Sequence, residues 1–157
     1  MLVLSDPSQT YALYVPSHCT PERSWPVILA FDPRACRRVP VEIYQAAAER
    51  FGYTVAGSNN SRNGSWAMSM AATEAMTNDV IHRFQADRKR IYTAGMSGGS
   101  RVALGIAISS NLIAGVIASS AGYPDSKPRV RPCHSLCSAL PVRKTSTTWK
   151  CGNRIGH

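Results

Sequence analysis

The stretch that decides the fold is RIYTAGMSGGSRVALGIA, residues 90–107, in which one serine stands among glycines. The segment before it, RIYTAG (90–95), favours a β-strand, and the segment after it, GSRVALGIAISS (99–110), favours a helix. A serine on a sharp strand-to-helix turn needs small neighbours, because a Cβ two residues away on either side would collide with adjacent backbone. Gly95 and Gly99 occupy those two positions, so the pattern predicts an elbow that presents the Ser97 hydroxyl.

The elbow pattern G-x-S-x-G, here Gly95-Met96-Ser97-Gly98-Gly99, assigns chemistry to its members. Ser97 is the candidate nucleophile. Gly98 lies at the start of the following helix, where backbone N–H groups have no acceptor within the helix. Its N–H is therefore the candidate donor to an oxyanion. A plain glycine turn that only joins a strand to a helix is the alternative interpretation of the same residues.

Outward from the elbow, short apolar runs alternate with segments of helical periodicity. This alternation predicts an α/β layer fold whose strands are parallel and joined by right-handed crossovers. The predicted strands are 11–16, 25–31, 53–58, 90–95 and 112–122, and the predicted helices are 41–52, 68–85 and 99–110.

Within the second predicted helix, apolar residues recur at every fourth position. We interpret this stripe, including its methionines, as one face packed in the core. Its members are Met68, Ala72, Met76, Val80 and Phe84.

Two segments carry a resemblance to a known family: DRKRIYTAGMSGGSRVALGIA (87–107) and YALYVPSHCTPERSWPVILAFDP (11–33). They resemble the nucleophile segment and the opening strands of α/β-hydrolases, in particular the esterase and polyhydroxyalkanoate-depolymerase-like branch. The resemblance spans about residues 10–125, the N-terminal part of that fold. It implies a mostly parallel sheet with helices on both faces, incomplete at the C-terminal side, where one edge stays open. It also implies a serine hydrolase that acts on small-molecule esters through an acyl-enzyme, with a Ser–Asp–His triad, no cofactor and no metal.

The loop after the second strand departs from that family, in which a His-Gly loop completes the oxyanion hole. Here it contains Asp32-Pro33-Arg34. Because proline has no N–H, a second oxyanion donor would come from about Arg34. For Asp32 we favour a solvated turn residue over membership of a small polar pocket with Asn59 and Asn60.

The partners of the serine are the larger departure, because in this fold the acid and then the histidine follow the nucleophile along the chain. The single acid after Ser97 is Asp125, and the histidines after it are His134 and His157. None of the three lies in a segment with strand or helix periodicity, while His18 and His82 favour exposed positions. The sequence therefore predicts weak or absent turnover. A non-catalytic ligand-binding or interaction module on the same fold stays open.

Composition changes abruptly near residue 126, which divides the chain into a hydrolase-like core (1–126) and a tail (127–157). The core carries 11 Lys/Arg against 9 Asp/Glu, whereas the tail carries 7 Lys/Arg, no acid and three of the five cysteines. We favour out-of-frame translation as the origin of this tail. Two alternatives are a basic segment for nucleic acid and a zinc site formed by Cys133, Cys137, Cys151 and His157.

Apolar runs in the sequence are too short to cross a bilayer, so we expect no membrane partner. The first residues lack the basic and apolar regions of a signal peptide, which favours the cytoplasm.

Overall fold

The computed structural model describes residues 1–121, and its elements follow the predicted order β–β–α–β–α–β–α–β. The strands are β1 (Tyr11–Tyr14), β2 (Trp25–Phe31), β3 (Thr54–Ser58), β4 (Ala86–Met96) and β5 (Ile113–Ser119). The helices are α1 (Arg38–Phe51), α2 (Trp66–Arg83) and α3 (Gly98–Ser109). The predicted boundary at residue 126 and the whole tail lie outside the described residues.

The strands form one five-stranded sheet in the order β1-β3-β2-β4-β5. β1 runs antiparallel to β3, and the other neighbours are parallel. The register places Phe31 beside Gly95 and Met96 beside Ser119, so the carboxyl ends of β2, β4 and β5 meet at one edge. In open α/β sheets this edge is where ligands bind.

Each face of the sheet is covered by helix, as predicted. On one face α2 and α3 contribute Met76, Val80, Val102, Ala103 and Ile106 to a core shared with β2 and β4. On the other face α1 contributes Val41 and Ala48 to a second core shared with β2 and β3. The strands between these layers are buried on both sides, which explains why WPVILAF is a continuous apolar run.

The apolar stripe predicted for the second helix was wrong at its first member. Met68 is 53% exposed, whereas Met76 and Val80 are fully buried. An α-helix repeats every 3.6 residues, so a residue eight positions before Met76 is turned about 80° away from it. Ser69, seven positions before Met76, is turned only about 20° away and is buried instead.

A buried carboxylate, Asp79 on α2, ties the N-terminal segment to the core. It accepts hydrogen bonds from the Tyr11 hydroxyl and, at 3.0 Å, from the Leu4 amide, and it pairs with Arg83 at 3.0 Å. Burial raises the pKa of Asp79, but these hydrogen bonds outweigh burial and hold that pKa below its usual range. The ionised form is therefore the one that the fold stabilises.

Candidate active site

The turn between β4 and α3 is a strained elbow with Ser97 at its tip. Ser97 has φ 52° and ψ −121°, and its side chain is exposed to solvent. A non-glycine residue in this region of backbone space costs on the order of 1–3 kcal/mol and persists only where the surrounding structure enforces it.

Two glycines allow backbone segments to approach one another closely at the elbow. A Cβ on Gly95 would lie 2.3 Å from the Gly99 carbonyl, and a Cβ on Gly99 would lie 2.2 Å from the Phe31 carbonyl oxygen. Real Cβ atoms essentially never approach backbone atoms this closely. The two positions therefore require glycine, for the steric reason that the sequence pattern indicated.

Ser100, buried in the first turn of α3, holds the elbow against β5. Its Oγ lies 2.7 Å from the Gly95 carbonyl and 2.5 Å from the Ser119 carbonyl, and it accepts the Ser119 N–H at 2.9 Å. The Ser97 N–H donates to the Ser119 carbonyl at 2.8 Å. These bonds join the ends of β4 and β5 and fix the backbone on which Ser97 stands.

A cleft of about 330 Å³ opens beside this serine. Its wall is formed by the loop before α2, the first turns of α2 and α3, and the chain after β5. The lining residues are Arg62, Asn63, Gly64, Trp66, Ser69, Ser97, Gly98, Arg101, Val102, Ser120 and Ala121.

The Asn63 carboxamide packs directly on Gly98, where a Cβ would lie 1.6 Å from Asn63 Oδ1. The backbone N–H of Asn63 donates to the Pro33 carbonyl at 2.9 Å, and this hydrogen bond holds the loop against the end of β2. Asn63 is thus placed beside both the candidate nucleophile and the candidate oxyanion donor.

Arg34, expected as a second oxyanion donor, is placed differently. Its N–H donates to Asp32 Oδ1 at 2.8 Å, and Arg34 is not among the residues that line the cleft. Asp32 is a turn residue as expected, but it is 4% exposed rather than solvated, because its carboxylate also accepts the Cys36 N–H. Its hydrogen bonds therefore stabilise the turn after β2 rather than a pocket with the Asn59 and Asn60 side chains, which contact Thr10.

Among residues 1–121, the cleft is lined by neither a histidine nor a carboxylate. His18 packs edge-on against Trp25, and His82 lies exposed in the last turn of α2. The other triad candidates, Asp125, His134 and His157, lie outside the described residues, as does the cysteine cluster proposed for zinc.

Within the part of the chain that the structure describes, no three His, Cys, Asp or Glu side chains come close enough together to hold a metal ion. None of the three helices has the length and apolar character that crossing a membrane would require.

Several solved structures share this arrangement of sheet and helices. An S-formylglutathione hydrolase from Agrobacterium tumefaciens superposes with a TM-score of 0.58 and 20% identity, over 71% of this chain and 52% of its own. An acetyl xylan esterase from Aspergillus awamori superposes with a TM-score of 0.56 and 18% identity, over 73% of this chain and 49% of its own. A poly(3-hydroxybutyrate) depolymerase from Bordetella parapertussis superposes with a TM-score of 0.56 and 18% identity, over 71% of this chain and 45% of its own.

These comparisons confirm the predicted resemblance at the level of the fold: residues 1–121 have the fold of α/β-hydrolases. The chain spans about half the length of these relatives. No protein-family model matches the chain, and no curated protein matches it by sequence.

Sequence reasoning missed four residues that surround the nucleophile. Three of them, Arg62, Asn63 and Trp66, lie in or just after the segment NNSRNGS (59–65), which the sequence marks only as a polar loop. The fourth, Arg101, lies in the predicted helix. The available signal was position alone, since a loop that follows a buried parallel strand opens at the ligand-binding edge of the sheet.

Proposed function

We propose that this chain carries the nucleophilic half of a serine esterase site, with Ser97 as the residue that attacks an ester carbonyl. The observation that carries the proposal is the exposed serine at φ 52° on a strand-to-helix turn that faces a cleft. The S-formylglutathione hydrolase, the xylan esterase and the depolymerase that share the fold are consistent with ester chemistry.

In the proposed reaction, Ser97 Oγ forms a bond to the carbonyl carbon and its proton passes to the departing alcohol. Water then attacks the acyl-enzyme and releases the acid, which regenerates the serine. Within residues 1–121 no base faces Ser97 to carry that proton. We therefore expect acylation without an efficient base, and turnover several orders of magnitude below that of a complete triad.

The negative charge that develops on the carbonyl oxygen needs donors already in place. Gly98, the first residue of α3, supplies one N–H at the positive end of the helix dipole. Asn63 is our second donor in place of Arg34, whose N–H Asp32 already accepts. A half-turn of the Asn63 carboxamide exchanges Oδ1 and Nδ2, which presents an N–H beside Gly98.

The test is labelling of the full chain with a neutral alkyl fluorophosphonate, located by peptide mass spectrometry. We expect slow labelling of Ser97 in the wild type on prolonged incubation, because no base within residues 1–121 faces it, and loss of the label in Ser97→Ala. The matched control is Ser24→Ala, which removes another exposed serine and should leave labelling unchanged. Asn63→Ala should slow labelling by roughly 100-fold if it removes an oxyanion donor.

An unlabelled wild-type protein whose fold is intact would refute the esterase proposal. That result would favour the second candidate function, a non-catalytic ligand-binding module, because the cleft would remain without a reactive serine.

A further inference from the structure

Within residues 1–121, the cleft beside Ser97 is lined by positively charged side chains and by no negatively charged one. Arg62 and Arg101 line it, and no Asp or Glu does so among residues 1–121. Both arginines are exposed. A cleft lined by one sign of charge focuses its field and raises the local concentration of ligands of the opposite sign.

Ion pairs with carboxylates neutralise some arginines of this fold. Arg38 pairs with Glu42, and Arg90 pairs with Asp87 on the same strand. No such ion pair engages the guanidinium of Arg62 or Arg101 within residues 1–121. Their charge is therefore available to a ligand in the cleft.

Two helix N-termini add to this field. Trp66 is the first residue of α2 and Gly98 is the first residue of α3, and both line the cleft. Neither helix has an acidic residue in its first turn to offset its dipole. The positive ends of two dipoles and two guanidinium groups thus meet around one small space.

One wall of the same cleft is apolar. The Trp66 ring lies on α3 above Gly105, where a Cβ would come within 2.0 Å of the ring atom Cη2, and Val102 continues this wall. An apolar wall in a cleft that also contains Ser97 and two guanidinium groups suits a short hydrocarbon segment that links an ester to an anion.

Arg62 and Arg101 supply the side-chain donors that a carboxylate needs. The Met68 N–H already donates to the Ser65 hydroxyl at 3.4 Å, and the Ser100 N–H donates to the Ser97 carbonyl at 2.9 Å. These two amides are engaged within the first turns and are not available to a ligand. A planar guanidinium donates two parallel hydrogen bonds to the two oxygens of a carboxylate, so Arg62 and Arg101 are suited to hold this anion.

We propose that the substrate is an ester that carries a free carboxylate, which Arg62 and Arg101 bind while the ester carbonyl lies at Ser97. This inference rests on the proposed function, since it names the substrate class of the same site. Binding of the carboxylate requires no reaction at Ser97, so the two can be tested separately.

The experiment measures ligand binding to the full chain carrying Ser97→Ala, by calorimetry or by NMR titration. Monomethyl succinate is the anionic probe, and dimethyl succinate is its neutral counterpart of nearly the same shape. Arg62→Gln and Arg101→Gln are added singly. The control is Arg88→Gln, an exposed arginine near the end of β4 opposite to the elbow.

We expect the monoester to bind at least about tenfold more tightly than the diester, because one charge-assisted hydrogen-bonded pair is worth about that factor. Each cleft substitution should weaken monoester binding by a similar factor, and Arg88→Gln should leave it unchanged. Equal binding of the two esters, equal loss with Arg88→Gln, or arginine-dependent preference for inorganic phosphate would overturn the inference.

Failure of this inference differs from failure of the proposed function. A wild-type Ser97 that reacts with the neutral fluorophosphonate, in a cleft that does not prefer the monoester, leaves an esterase for neutral substrates. A cleft that prefers the monoester around an unreactive Ser97 leaves a carboxylate-binding module.

Discussion

Replacing Ser97 with glycine should stabilise the protein, although it removes the proposed nucleophile. Ser97 is held at φ 52° and ψ −121°, a conformation that glycine adopts without steric cost and that any residue with a Cβ resists. Within residues 1–121 the Ser97 hydroxyl makes no hydrogen bond and is exposed, so its removal should lower the free energy of unfolding very little. The strain itself is therefore the quantity that this substitution measures.

The informative comparison is between Ser97→Gly and Ser97→Ala, because neither variant has the hydroxyl and only alanine keeps the Cβ. Relief of backbone strain contributes about 2 kcal/mol to the glycine variant. The greater freedom of glycine in the unfolded chain offsets about 0.7 kcal/mol of this. The net expectation is that Ser97→Gly is about 1 kcal/mol more stable than Ser97→Ala, or about 4 °C in Tm.

Urea unfolding followed by circular dichroism gives both free energies of unfolding, and fluorophosphonate labelling should be absent in both variants. A glycine variant no more stable than the alanine variant would refute the reasoning, since it would show that the Ser97 backbone is not strained.

Two further substitutions test the framework around the site. Gly99→Ala should lower the free energy of unfolding by at least about 2 kcal/mol in urea unfolding, because the new Cβ meets the Phe31 carbonyl oxygen at 2.2 Å; an unchanged midpoint would contradict the close approach. Asp79→Asn should cost about 2 kcal/mol at pH 7, because the buried Tyr11 hydroxyl and its neighbours lose a charged acceptor. The pKa of Asp79 is depressed on folding, so its contribution is present above the usual carboxyl range and is lost as the pH falls below about 4. Unfolding measured at pH 7 and pH 3 should therefore show the difference between wild type and Asp79→Asn shrinking with acid, and a constant difference would contradict this account.

Local periodicity was sufficient to predict the order of strands and helices. The runs of β2 and β3 are continuous and apolar because both faces of these central strands are buried, and the structure places both strands within two residues of the predicted bounds. β4 is longer than predicted, because it begins at Ala86, which pairs with Trp25. The charged residues Asp87–Arg90 follow Ala86 and show no strand pattern in the sequence. Charged residues at the exposed end of a strand carry no apolar signal, so only the pairing reveals it.

The elbow could be predicted because its requirement is steric and local. Gly95 and Gly99 stand two residues from Ser97 on either side, and each lies too close to backbone to carry a side chain. The residue proposed as the second oxyanion donor could not be predicted in this way. Asn63 reaches Gly98 across a gap of 35 positions in the sequence, so no local pattern marks it.

The sequence by itself determined the layers of this fold, the sharp bend at Ser97 and the need for small residues on either side of it, because these follow from hydrophobic periodicity and from the volume of a Cβ. Only the tertiary structure decided what surrounds the serine. The loop before α2 packs against the end of β2 and brings Asn63, Arg62 and Trp66 to the first turn of α3. The charge of the cleft is therefore set by contacts between segments distant in sequence, whose geometry exists only once the parallel strands are aligned.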